Sequence, residues 1–153
     1  MKKYADLFLR AALFAMGGLV LFLCVLMFSA FTDPRNAEFK GLVAGLYVAA
    51  IPFFYALYQA WKLLDLIKAS KAFTSESVKA LGIVSYCGEI IAVVLLLVSP
   101  FFYNIAQRED APGVLGICLM TVFMSMVISV FTGLLKMLFQ NAVDIKSEND
   151  LTV

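Results

Sequence analysis

The chain has 153 residues, of which 63% are hydrophobic and 15% are charged, with a net charge of +1 at pH 7 and no histidine. Soluble domains are roughly half apolar and a quarter charged, so this composition indicates an integral membrane protein. The near-neutral charge argues against a nucleic-acid partner, which would need a clustered basic face, and the lack of histidine excludes histidine-based catalysis.

Four apolar stretches are each long enough to cross a bilayer as a helix, which takes about 20 residues. They cover residues 11–31, 41–61, 81–103 and 113–135. The first follows a basic start that resembles a signal peptide, but its apolar run is longer than a signal h-region, so we expect a retained span. The sequence therefore predicts a single all-α membrane domain, residues 1–153, folded as an antiparallel bundle of four transmembrane helices.

Basic residues beside the spans predict the orientation, because cytoplasmic loops are enriched in lysine and arginine. One side of the predicted bundle carries most of them: Lys2, Lys3, Arg10, Lys62, Lys68, Lys71, Lys79, Lys136 and Lys146. The other side has Arg35, Lys40 and Arg108. We expect both termini in the cytoplasm and the protein in a bacterial plasma membrane, with the lipid bilayer as its first partner.

The second and fourth helices are predicted to continue past the bilayer as amphipathic extensions. In "LLKMLFQNAVDIK" an apolar stripe is predicted to face the other extension, formed by Leu135, Leu138, Phe139, Ala142 and Ile145. Between the extensions, "FTSESVKAL" is typical of a helix start with Thr74 as N-cap and Phe73 in contact with Val78. The alternative is that the extensions lie flat in the membrane interface.

Three segments carry a family resemblance: "LYQAWKLLDLI" (residues 57–67), "FTSESVKAL" (73–81) and the ending "IKSENDLTV" (145–153). They resemble the bacterial membrane family catalogued as domain of unknown function 2975, which typically closes with a "KEENDLTV"-like tail. This chain departs from that ending at Ser147. Genes for helix-turn-helix regulators often accompany the family, so the resemblance implies a regulatory or stress-linked membrane role. It defines no catalytic or ligand residue.

The polar tail, residues 144–153, is predicted to dock on the basic loop if the helices pack antiparallel. Its acidic residues would face lysines of the loop, and its last apolar residues would anchor it. The candidate docking residues are Lys68, Lys71, Lys79, Glu148, Asp150, Leu151 and Val153. The alternative is a frayed, solvated terminus, which is the common state of chain ends.

Glu89 is the one formally charged residue well inside a predicted span, where an ionised acid costs about 3 kcal/mol. Gly82, Ser85, Glu89 and Ala92 share a helix face by their spacing, so we expect Glu89 to point into the bundle. Depth along the helices places it level with Ser129 and near Gly17 and Gly18. The prediction is a protonated carboxyl that donates a hydrogen bond to Ser129. A role in helix register and a role in proton or ligand binding both stay open.

Small residues predict close helix contacts on two spans: Gly41, Gly45 and Ala49 on the second, and Thr121, Ser125, Ser129 and Gly133 on the fourth. Pro52 and Pro100 are expected to kink or end their helices. Cys24, Cys87 and Cys118 are scattered singly, without a pair poised for disulfide chemistry, so we expect packing roles and no metal or other cofactor.

Three functional classes remain. A non-enzymatic sensor, regulator or immunity-type protein would act through contacts with another membrane or cytoplasmic protein, or with a second copy of itself. A small transporter or proton-coupled membrane component would use Glu89. An intramembrane enzyme lacks a plausible set of nucleophile, base and orienting group. We favour the first class.

Overall fold

The computed structural model describes residues 2–32 and 40–151, and the side chains of residues 4–28 and 40–148. These residues form four α-helices: α1 (Lys2–Thr32), α2 (Lys40–Lys68), α3 (Ser75–Arg108) and α4 (Gly113–Leu151). Each contains a stretch long and apolar enough to cross a membrane, and the described ranges contain no strand. The predicted all-α fold with four membrane helices is therefore confirmed.

The second and fourth helices continue past the ends of their predicted spans at one end of the fold. α2 ends at Lys68, past the predicted span end at residue 61, and α4 ends at Leu151, past residue 135. The 39 residues of α4 span about 58 Å at 1.5 Å per residue, roughly twice the 30 Å thickness of the hydrocarbon core. The predicted extensions are thus present as continuous helix. We call this end, with Lys62, Lys68, Lys79 and Lys136, the basic side.

The third helix occupies the centre of the fold. α3 packs against both α2 and α4, whereas α1 makes its main contacts with α2. In the most apolar window of α3, 39% of residues are buried, and in that of α1 none is. The helices therefore pack mainly against their neighbours in sequence, and α1 lies at the periphery of the bundle.

Small residues set the close approach of α2 to α3. A Cβ added to Gly45 would overlap the γ-methyl groups of Val98, and one added to Gly41 would lie 2.6 Å from the ring of Phe101. Val98 also forms a buried apolar cluster with Leu42 and Val43. The small-residue face predicted on the second span thus packs inside the chain, against α3.

Polar contacts tie α1 to α2 near the basic side. Arg10 forms ion pairs with Asp65 at 2.6 Å and with Asp6 at 3.1 Å, and Lys68 lies 3.8 Å from Asp6. The Arg10 guanidinium also stacks 4.8 Å from the ring of Trp61. Toward the other end, the Tyr47 hydroxyl donates to the Cys24 carbonyl at 2.6 Å.

The turn between α2 and α3 lies on the basic side and contacts α4. Thr74 is the N-cap of α3, as predicted, but its side chain makes no capping hydrogen bond and donates instead to the Lys71 carbonyl at 3.1 Å. The ring of Phe73 packs 5.0 Å from that of Phe139 on α4. Pro52 and Pro100 lie inside α2 and α3 without ending either helix.

Candidate functional site

The structure brings Glu89, Ser85 and Ser129 together at the α3–α4 contact. Glu89 and Ser129 are hydrogen-bonded as predicted, but in the reverse direction: the Ser129 hydroxyl donates to Glu89 Oε1 at 3.1 Å. The Ser85 hydroxyl lies 2.9 Å from the Ser129 carbonyl and 3.2 Å from the Ser129 hydroxyl. The two serines and the carboxyl thus form a continuous line of oxygen atoms from two helices.

Gly88 allows α4 to approach α3 closely enough for these bonds. A Cβ at Gly88 would lie 3.1 Å from both the Ser125 carbonyl oxygen and the Ser129 Cβ. Gly133 similarly lies against the Ser85 hydroxyl, at 3.4 Å for an added Cβ. The sequence analysis predicts the contact face of α4 but misses Gly88. A glycine next to an acidic residue within a membrane span could have indicated this close contact.

Glu89 does not point into the bundle, contrary to the sequence expectation. Ala92 is 1% exposed and Gly82 is buried, but the Glu89 side chain is exposed. It sits one position after Gly88, which faces α4, and a helix turns by about 100° per residue. Because α1 packs on α2, no helix in the described part of the chain covers this side of the α3–α4 pair.

Glu89 opens onto a groove of about 370 Å³ between α3 and α4. Its walls combine polar and apolar side chains with two glycines: Gly82, Ser85, Tyr86, Glu89, Val130, Gly133, Leu134, Lys136 and Met137. Lys136 lies over Gly82, with its amino nitrogen 3.2 Å from where a Cβ would be. The sequence indicates Lys136 as an orientation signal but does not predict that it lines the basic-side end of this groove.

Gly17 and Gly18 lie elsewhere, in a second crevice between α1 and α2. This crevice, of about 470 Å³, is lined by apolar and aromatic side chains that include Leu57 and Trp61. A Cβ at Gly17 would lie 3.3 Å from Leu57, whereas one at Gly18 would meet nothing within 4 Å. Gly17 lies at the α1–α2 contact and Gly18 lines the crevice beside it, so the expectation that they lie near Glu89 does not hold.

The predicted tail contact is only partly within the described residues. α4 remains helical to Leu151, so the tail begins as helix; Asp144 accepts a hydrogen bond from Gln140 at 3.0 Å. Lys68 is near Asp6 on α1. The side chains of Asp150 and Leu151, and all of Val153, lie outside the described residues. Docking of Glu148 and its neighbours on Lys68, Lys71 and Lys79 stays a prediction.

The cysteines lie apart in the fold. Cys87 and Cys118 are buried, and Cys24 is half-buried; the Cys118 thiol is 3.9 Å from the Leu95 carbonyl on α3. Across the described ranges, no three histidine, cysteine, aspartate or glutamate side chains come together as a metal cluster. The chemistry the structure does assemble is that of the two serines and Glu89.

Comparison with known proteins places this architecture in a family. Residues 2–153 match the family model described as protein of unknown function DUF2975. The chain is 45% identical over 160 residues to the uncharacterized membrane protein YoaS of Bacillus subtilis (strain 168), covering 100% of both chains. No solved structure matches.

Proposed function

We propose that this chain, which belongs to the DUF2975 family of membrane proteins, is a non-enzymatic regulator of the bacterial plasma membrane. In this proposal both termini lie in the cytoplasm. The protein acts by binding another protein through the part of α4 that extends past the bilayer.

The observation that carries the proposal is the surface of that extension. Leu138 is 62% exposed and Ile145 is 61% exposed. They are seven residues apart, and therefore lie on one face of the helix. The sequence pattern assigned both to the stripe that packs on the α2 extension, but only Leu135, Phe139 and Ala142 are partly buried.

An apolar helix face that projects into water favours a partner helix or groove, since such faces bind through residues spaced by three, four and seven positions. α4 has no proline within Gly113–Leu151, the commonest cause of a sharp helix kink. A continuous helix about 58 Å long that crosses the bilayer upright carries Ile145 beyond the headgroup region. This length favours a protein contact over burial of the extension in the interface.

The test places a photo-crosslinking amino acid at Ile145 in cells, with Lys146 on the neighbouring face as the matched control position. We expect a discrete protein adduct from position 145 and a much weaker one from 146. The double variant Leu138→Ser/Ile145→Ser should lose the adduct formed from a crosslinker at Asn141. Crosslinking to lipid from position 145 would show that the extension lies in the interface, and equal adducts from both positions would show no specific face.

Glu89 supports a second candidate, a proton-coupled membrane component. The line from Ser85 through Ser129 to Glu89 follows the groove that Lys136 lines toward the basic side. Proteoliposomes loaded with a pH-sensitive dye test this candidate. Proton uptake should depend on Glu89 and be lost in Glu89→Gln, whereas equal rates in both proteins would remove it.

A further inference from the structure

We infer that Ser85, Glu89 and Ser129 form a binding site for a sodium ion, which competes with the carboxyl proton of Glu89 and is reached from the basic side of the protein. The site does not depend on the protein-contact proposal. Ion binding is measured on the purified chain, without a partner and without transport.

The first argument is the set of donor atoms. Four oxygens come together from two helices: one carboxylate oxygen of Glu89, the hydroxyls of Ser85 and Ser129, and the Ser129 carbonyl. Neighbouring oxygens in this set are 2.9 to 3.2 Å apart. An all-oxygen set selects hard cations. Ions of calcium's size bind oxygens at about 2.3–2.6 Å, and in an octahedron this bond length places neighbouring oxygens about 3.4 Å apart. Neighbouring oxygens in this line are therefore about 0.2–0.5 Å closer than such a shell requires, and the hydroxyls of Ser85 and Ser129 would move apart to admit sodium.

The second argument concerns the charge of the ion. Glu89 is the one carboxylate among the groove residues. A monovalent cation would form a neutral pair with it, whereas a divalent cation would leave a positive charge at membrane depth, where net charge is costly. Among the described residues, no lysine or arginine forms an ion pair with Glu89. The other titratable groups that line the groove are Tyr86 and Lys136, and Lys136 further disfavours a second positive charge on the ion.

The third argument is access. Glu89 is exposed in the groove, which continues toward Gly82 and Lys136, seven residues away along each helix. Seven residues correspond to about 10 Å. An ion from the basic side can therefore reach the carboxylate along the groove, past the Ser85 hydroxyl, without crossing the full hydrocarbon core.

The experiment measures thermal unfolding of the full chain in detergent across a sodium titration, with choline chloride holding ionic strength constant. Binding to the folded state alone should raise the melting temperature by about 3–5 °C for each tenfold rise in sodium above the dissociation constant. Glu89→Gln and Ser129→Ala should abolish this dependence. Ser125→Ala is the matched control, since its hydroxyl bonds only the Thr121 carbonyl of its own helix, and it should keep the wild-type dependence.

A proton arm separates the two cations. Infrared difference spectra across a pH titration should show a carboxylic-acid carbonyl band that is absent from Glu89→Gln. Sodium should suppress that band, because the two ions compete for the site; a band that sodium does not change would contradict the inference. A melting temperature independent of sodium would overturn it. If Glu89→Gln does not fold, Ser85→Ala and Ser129→Ala decide the sodium arm.

Discussion

Gly45 provides a sharp test of the α2–α3 packing. Substitution to alanine places a methyl group against Val98, which is 6% exposed and cannot move away into solvent. Val98 is β-branched and therefore stiff about χ1, so the overlap has to be relieved by separating the helices. Overpacking of this kind costs about 1–3 kcal/mol, and the tight contact with Val98 places Gly45→Ala near the upper end.

The helix propensity of alanine offsets part of this cost, by about 1 kcal/mol relative to glycine. The net loss should therefore be about 2 kcal/mol, which corresponds to a fall of about 4–8 °C in melting temperature for a chain of this size. Gly18→Ala is the matched control, because a Cβ there meets nothing within 4 Å. It should leave the melting temperature unchanged or raise it by about 2–4 °C.

The assay is thermal unfolding of both variants in the same detergent, followed by intrinsic Trp61 fluorescence and by helix content. The double variant Gly45→Ala/Val98→Ala should lose less stability than the sum of the two single changes, because removing the Val98 methyl groups leaves room for the Cβ added at position 45. Equal melting temperatures for Gly45→Ala and Gly18→Ala would refute the described α2–α3 contact.

Three further predictions concern orientation and the basic side. Reporter fusions after Phe73 and at the carboxyl end should report the cytoplasm, and a cysteine beside Arg108 should react with an impermeant reagent from outside; external labelling at Phe73 would contradict the orientation. Arg10→Ala removes the ion pairs with Asp65 and Asp6 and should make α1 more accessible to protease than Lys62→Ala does; equal cleavage would assign α1 anchoring to apolar packing. Deletion of residues 148–153 should lower the melting temperature and expose the basic loop to protease if the tail docks, and no change would indicate a frayed end.

Hydropathy and small-residue spacing were enough to predict the helices and the contact faces of α2 and α4. Each apolar stretch lies within a helix of the structure, because only helices and closed barrels satisfy the backbone in lipid. The glycines of α2 were recognised as a contact face, and Gly45 does pack closely, against Val98. These features depend on local sequence, because the small residues on a helix face determine how closely that face can approach a neighbour.

The partner of each face could not be read from the sequence. In lipid, both the packed and the exposed faces of a helix are apolar, so hydrophobic periodicity does not say which neighbour a face meets. This is why the peripheral position of α1 was missed, and with it the exposure of Glu89. The grouping of Gly82, Ser85, Glu89 and Ala92 on one face was too coarse, since that arc includes buried Ala92 and exposed Glu89.

The energetics of Glu89 lead to a last prediction, for the variant Glu89→Leu. An acidic residue at the centre of a membrane helix costs about 2.5–3.5 kcal/mol on insertion scales, whereas leucine is favourable by about 0.5. Against this, hydrogen bonds between membrane helices average about 0.6 kcal/mol and reach about 1.7. The bond from Ser129 to Glu89 is therefore too weak to offset the cost of the carboxylate.

Glu89→Leu should accordingly fold and melt at a temperature equal to or higher than the wild-type protein in the absence of sodium. This result would support a binding role for Glu89, since functional groups are often kept at the expense of stability. Glu89→Gln, which keeps the shape and a hydrogen-bonding amide, should fall between the two. If Glu89→Leu instead melts several degrees below the wild-type protein while Glu89→Gln does not, the carboxyl is a structural link between α3 and α4, and the argument from insertion cost is wrong.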